Sequence, residues 1–209
     1  MIPAVRRLAV LLVLAIAIAA CSSADAAPSS SVIMLAPASN GPMGQRDTAY
    51  NPVKPAPALQ LTDQDGKPFD LASLQGEPVF VYFGYTHCPD VCPTTLADVR
   101  AGIQQAGVPA KLVMVTVDPA RDNAAWMKTY LDAYKAGFIG LTGTDAQIAA
   151  AAKAWGASYQ AEPADSNGNY AMMHTSDVYL VDAQGMLRHH IFFGAGSPLI
   201  AQILKSVSG

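Results

Sequence analysis

Hydrophobic and polar positions follow several distinct patterns along the chain. Pro78-Val-Phe-Val-Tyr-Phe83 and Lys111-Leu-Val-Met-Val-Thr-Val117 are continuous apolar runs, rich in β-branched and aromatic residues. Runs of this kind predict strands buried on both faces, as in a parallel sheet covered by helices. Leu96, Val99 and Ile103 recur at helical spacing and predict a helix over 94–105 that stops at Gly107. Trp126, Tyr130 and Tyr134 recur every fourth position and predict a second helix over 123–136, which Asp122 would cap if Asp118-Pro119 starts a turn. A short strand near Phe138-Ile139 precedes a third helix, capped at Thr144-Asp145 and reaching about Trp155.

The flanks of this pattern are different. Ala58 to Phe69 alternates around Asp63-Gln-Asp-Gly-Lys67, which predicts a hairpin with Asp65-Gly66 at its tip. Residues 162–170 are polar, contain an Asn-Gly pair and read as a loop. A strand over 177–182, a turn at Gln184-Gly185, a strand over 186–193 and a helix from Ser197 close the chain. This order predicts an α/β protein of the thioredoxin-like kind over residues 55–209. Its central mixed β-sheet is flanked by helices and has an N-terminal β-hairpin.

The first residues read as an address. Arg6 and Arg7 precede the apolar run Leu8 to Ala20, which ends at Cys21-Ser22-Ser23. The run is shorter than the roughly 20 residues a spanning helix needs, so residues 1–20 read as a secretory signal peptide. Ile18-Ala-Ala-Cys21 resembles a bacterial lipobox. That resemblance implies cleavage before Cys21 and lipidation of its thiol; the alternative is an ordinary signal peptide cut elsewhere. Residues 21–54 are rich in Ala, Ser, Pro, Gly and Asn without hydrophobic period and read as a flexible tether. Met34 and Met43 within it read as incidental.

Composition narrows the chemistry. A net charge of −3 gives no electrostatic reason to expect nucleic acid. Three cysteines are too few for a disulfide-stapled scaffold. Cys88 and Cys92 instead follow a predicted buried strand and open a predicted helix. Unpaired first-turn N–H groups and the helix dipole stabilise a thiolate there. With Pro89 in the first turn, Cys88 would lie near the N-cap and Cys92 about one turn on. Pro89 and Pro93 stiffen the loop. Two adjacent thiolates form a disulfide or clasp a soft ion such as Cu(I), whereas zinc wants a fuller tetrahedral shell.

Three segments carry a resemblance. Phe83-Gly-Tyr-Thr-His-Cys-Pro-Asp-Val-Cys-Pro-Thr-Thr95, Val117-Asp-Pro-Ala-Arg-Asp122 and Met173-His-Thr-Ser-Asp-Val-Tyr-Leu-Val-Asp182 resemble, in order, the motifs of the Sco/SenC family. Members of that family are copper proteins that assist assembly of the CuA centre of cytochrome c oxidase. The resemblance implies that Cys88 and Cys92 are sulfur ligands of copper and His174 the nitrogen ligand. It further implies oxidase subunit II as partner, an extracytoplasmic copper donor, and a thioredoxin-like reductant. The expected location is the outer face of a bacterial cytoplasmic membrane, held by the lipid anchor. His174 precedes a predicted strand where ordinary thioredoxins carry a cis-proline, which argues against a generic disulfide reductase.

Other polar residues are assigned more loosely. His87 adjoins Cys88 and would lower its thiol pKa when protonated. Asp118 resembles an acidic residue near the family's copper site, but equally suits the start of a turn, and Arg121 would pair with it or reach a partner. Asp90 reads as a loop-fixing or solvated group. His189 and His190 alternate faces, so at most one points inward, and both read as solvated strand residues. Two functions follow: a copper metallochaperone, or a thiol–disulfide oxidoreductase acting through the redox pair Cys88 and Cys92. Peroxidase chemistry fits poorly, because Tyr85 and Pro89 occupy the positions where peroxiredoxins carry Pro and Thr.

Overall fold

A computed structural model describes residues 46–208. The signal peptide, Cys21, Met34 and Met43 lie outside the described residues. The strands are β1 (Asp47–Pro55), β2 (Gln60–Asp63), β3 (Pro68–Asp70), β4 (Val79–Gly84), β5 (Lys111–Thr116), β6 (Ile139–Thr142), β7 (Tyr159–Ala161), β8 (Met172–His174), β9 (Val178–Val181) and β10 (Met186–Ile191). The α-helices are α1 (Val91–Ala106), α2 (Ala124–Asp132), α3 (Asp145–Trp155) and α4 (Gly196–Val207).

Eight strands form one mixed sheet in the order β1-β10-β9-β4-β5-β6-β2-β3, while β7 and β8 pair only with each other. The continuous apolar runs become its centre. Every residue of β4 is buried, and β4 lies parallel to β5 from Val79↔Lys111 to Gly84↔Thr116. On its other side β4 meets β9 antiparallel, with Val79 opposite Val181. Phe80, Tyr82, Phe83, Leu112, Met114 and Tyr179 are fully buried here, each such side chain stabilising the fold by about 2 kcal/mol through burial. Gly102 of α1 allows close approach to α4, since a Cβ there would sit 2.5 Å from Ile200 Cγ2. The hairpin β2–β3 forms as predicted, with Asp63 Oδ1 accepting the N–H groups of Asp65 and Lys67 at 2.9 and 2.8 Å.

Several expectations are corrected. The tether does not run to residue 54, because Asp47–Pro55 forms β1 on the sheet edge beside β10. An edge strand gains its backbone partners on one side and needs no buried face, so its composition resembles linker. Residues 162–170 are the tip of the β7–β8 hairpin, where Glu162 N–H donates to the Ala171 carbonyl at 2.8 Å. Helix α2 ends at Asp132, short of the expected 136. Beyond it Lys135 (φ 50°) and Gly137 (φ 64°) take left-handed conformations that turn the chain. Its cap is Asn123, whose side chain accepts the Trp126 N–H at 2.9 Å, and not Asp122. His189 and His190 are not solvated: they are partly buried and contact Asp47 and Asp177, each at 2.9 Å. A register shift between Leu187 and His189 breaks the expected alternation, and the His190 ring stacks on Tyr179.

Candidate metal centre

The site is built where β4 ends. Tyr85 to Cys88 turns, with Cys88 N–H donating to the Tyr85 carbonyl at 3.4 Å. Helix α1 then begins at Val91, two residues beyond Pro89, which therefore lies ahead of the helix and not in its first turn. Pro93 takes the first-turn place, where a missing N–H costs nothing. Asp90 precedes the helix without a side-chain capping bond. The Cys88 sulfur supplies one instead, accepting the Cys92 N–H at 3.3 Å. Cys92 therefore lies in the first turn and is fully buried, while Cys88 is partly exposed.

Gly84 makes room for this arrangement. A Cβ there would lie 2.5 Å from Tyr82 Cε1 and 3.2 Å from Cys92 Sγ. The phenol of Tyr82 is buried against Cys92, and its ring meets His174 edge-on at 6.1 Å between centroids. Tyr85 meets the same imidazole edge-on at 5.7 Å.

His174 arrives from the other direction, at the end of β8. Its Nδ1 lies 2.9 Å from the Thr175 carbonyl, an atom that only accepts, so Nδ1 carries the proton. That leaves the Nε2 lone pair free, 3.5 Å from Cys92 Sγ. The two sulfurs and this nitrogen all lie within 4.8 Å of one another. Among the described residues no other group of His, Cys, Asp and Glu side chains is gathered in this way.

The two thiols are unequal. A hydrogen bond from Cys92 holds the Cys88 thiol far below its usual range; burial opposes the shift, while the N–H groups of Cys92 and Asp90 reinforce it. The same bond, with burial added, pushes Cys92 up. The shifts run in opposite directions, so the partly exposed Cys88 is the sulfur that ionises more readily and the buried Cys92 the one that holds its proton longer.

The remaining candidates fall into two neighbouring networks outside this donor cluster. His87 turns Nδ1 toward Thr86 Oγ1 (3.1 Å) and Asp122 Oδ1 (3.4 Å) and stacks on Trp126. Asp122 is fully buried and accepts the Thr86 N–H, the Thr86 hydroxyl and the Thr116 hydroxyl at 2.9, 2.5 and 2.7 Å. Trp126 Nε1 donates to Thr86 Oγ1 at 2.7 Å. Asp118 begins a turn, its carbonyl accepting the Arg121 and Asp122 N–H groups. Its carboxylate binds Arg121 and the Tyr170 hydroxyl. Tyr82 lies in the apolar run of β4 and Tyr85 in the cysteine motif, but nothing in either pattern marks them as neighbours of His174, and Tyr170 lies in a polar segment without any signal.

Comparison with known proteins settles the kinship. The SCO1/SenC family model matches residues 49–208. The chain belongs to the SCO1/SenC family. A candidate copper-binding protein of Stutzerimonas stutzeri is 41% identical over 139 residues, 65% of this chain and 68% of its own. An SCO2-like protein of Rickettsia felis is 32% identical over 166 residues, covering 78% and 81% of the two chains. The structure of Bradyrhizobium japonicum ScoI with copper bound superposes with a TM-score of 0.62 at 36% identity, covering 72% of this chain and 97% of that one. The fold is accordingly the thioredoxin-like fold of the Sco proteins.

Proposed function

We propose that Cys88, Cys92 and His174 bind copper and that this SCO1/SenC protein delivers it to the CuA centre of cytochrome c oxidase, docking on subunit II. The observation that carries the reading is the convergence of two sulfurs and a free imidazole nitrogen within 4.8 Å. Thiolate and imidazole donors suit Cu(I), and three donors leave zinc one short of its usual structural shell. The copper-bound Bradyrhizobium relative supports the choice of metal. Copper is cargo here. Cys88 is the donor open to solvent, so an acceptor's thiolates would enter from its side and take the ion by ligand exchange.

An extracytoplasmic donor loads the site, and a thioredoxin-like reductant keeps both cysteines reduced beforehand. The lipobox-like Ile18-Ala-Ala-Cys21 supports anchoring through Cys21 at the outer face of the cytoplasmic membrane, where the oxidase is reached. Anaerobic copper titration of the reduced protein tests the site. Binding of one equivalent is expected, lost in Cys88→Ala and weakened in His174→Ala. Unchanged affinity in both variants rejects the proposal.

A second reading rests on the unequal thiols. Cys88 as thiolate attacks a partner disulfide and forms a mixed disulfide. Cys92, on losing its proton, then attacks the Cys88 sulfur. The partner dithiol leaves, and a Cys88–Cys92 disulfide remains for the reductant to reduce. Reduction of an oxidised CuA domain that Cys88→Ser abolishes and His174→Ala leaves intact would favour this role.

A further inference from the structure

The two cysteines follow β4 of the main sheet, whereas His174 is carried by a strand outside it. Its hairpin, β7–β8, forms ladder bonds only with itself. The neck of the hairpin is closed by Thr175 and Ser158, with Thr175 N–H donating to the Ser158 carbonyl at 2.8 Å and Ser158 N–H to Thr175 Oγ1 at 3.0 Å. These bonds hold the hairpin together without fixing it against the cysteine loop.

Lateral contacts come from Met172, which bonds the Tyr85 side chain through its backbone N–H, and most extensively from Tyr170, just before β8. Its hydroxyl donates to Asp118 Oδ1 at 2.8 Å. Its carbonyl accepts from Arg121 Nη1 at 2.9 Å, and the Arg121 guanidinium lies 3.6 Å from the centroid of its ring. Arg121 Nε donates to the other oxygen of Asp118. Hydroxyl, carbonyl and ring face of one residue are thus all gripped by two side chains of the turn after β5. The turn itself is firm: the Asp118 N–H donates to Thr116 Oγ1 at 2.9 Å, and its carbonyl accepts two N–H groups. The Arg121 guanidinium also lies 5.8 Å from the Tyr85 ring, which borders His174.

We propose that Asp118, Arg121 and Tyr170 form a latch that fastens the β7–β8 hairpin beside the cysteine loop and so positions the His174 Nε2. The chemistry makes the latch reversible. When Tyr170 withdraws, Asp118 keeps Arg121, so no buried carboxylate is left unpaired. Releasing Tyr170 then costs one hydrogen bond to a carboxylate, one to a carbonyl and the cation–π contact, and leaves the Met172–Tyr85 bond as the remaining polar tie. A third donor held this way can be removed while both sulfurs stay in place, which is what transfer to an acceptor requires. The copper consequence rests on the reading of His174 as a ligand; the latch does not.

Tyr170→Phe is the discriminating variant, because it keeps the ring over Arg121 and deletes only the hydroxyl. In the reduced, metal-free protein, amide hydrogen exchange at Met172, whose N–H bonds the Tyr85 side chain across to the cysteine loop, should quicken about tenfold, with β4 and β5 unchanged. Tyr170→Ala should quicken it further. Equal exchange in wild type and both variants overturns the latch. With copper bound, Tyr170→Phe should weaken retention against a chelator and reduce the nitrogen hyperfine signal of the Cu(II) form. In a His174→Ala background the same substitution should have no further effect. Equal losses in both backgrounds overturn positioning through His174. If His174→Ala alone leaves copper retention unchanged, the ligand assignment fails, and the exchange experiment still decides the latch.

Discussion

The two arms of the site differ in how they are held. The cysteine arm grows out of β4, whose residues are all buried, and its Cys92 is sealed against Tyr82 and Gly84. The histidine arm is a short, largely exposed hairpin paired only with itself and tied down by a few polar contacts. Packing fixes the first; the second combines polar contacts with the partial packing of Tyr159 and Met172 on the core. Close packing tolerates little change in volume, whereas a polar fastening can open at the cost of a few hydrogen bonds. A site that has to grip an ion and then release it gains from having one arm of each kind.

The comparison can be broken most severely at Gly84. Gly84→Ala should destabilise the fold by about 3 kcal/mol, because the new methyl meets a buried Tyr82 ring that has nowhere to go. Urea denaturation measures it, and a change under about 1 kcal/mol would show that the cysteine arm is looser than its packing implies. Asp122→Ala comes next. It strands the Thr86 N–H and two hydroxyls inside the protein and should cost about 2 kcal/mol in the same assay.

Thiol chemistry sharpens the contrast between Cys88 and Cys92. An ordinary thiol loses its thiolate about tenfold per pH unit below about 8.5. Cys88, with its pKa depressed, stays ionised as pH falls through neutrality, so its alkylation rate should be nearly flat from pH 8 to 6. Cys92→Ala removes the largest lowering influence, raises the Cys88 pKa and should slow alkylation at pH 6 by about tenfold. A steep profile in the wild type would refute the asymmetry. The smallest effect belongs to the other arm. His174→Ala should change stability by less than about 0.5 kcal/mol, even while copper retention falls.

The legibility of the chain follows the same division. The β4 and β5 runs, the stripe of α1 and the Asp65-Gly66 turn were readable because burial on both faces, helical spacing and a tight turn each impose a local pattern. Strand β1 was not readable: most of its residues are exposed, and only its backbone pairing with β10 makes it a strand. The β7–β8 hairpin was missed for the same reason. Asp122 looked like a helix cap because such caps are common before helical patterns. Its full burial among Thr86 and Thr116 depends on two strands meeting, which no local rule anticipates.

At the site, the placing of Cys88 and Cys92 together at a strand-to-helix junction is local information, carried by their spacing and flanking prolines. The sequence placed His174 only through resemblance. The tertiary structure decided that the imidazole reaches Cys92, which of its nitrogens is free, and that one sulfur is buried and the other partly exposed. It also decided that Asp118 and Arg121 face Tyr170 and not the donors. The physical reason is separation along the chain: contacts across 82 residues between Cys92 and His174, and 52 between Asp118 and Tyr170, leave no periodic trace in the sequence. They exist only once the buried strands have set the frame on which both arms hang.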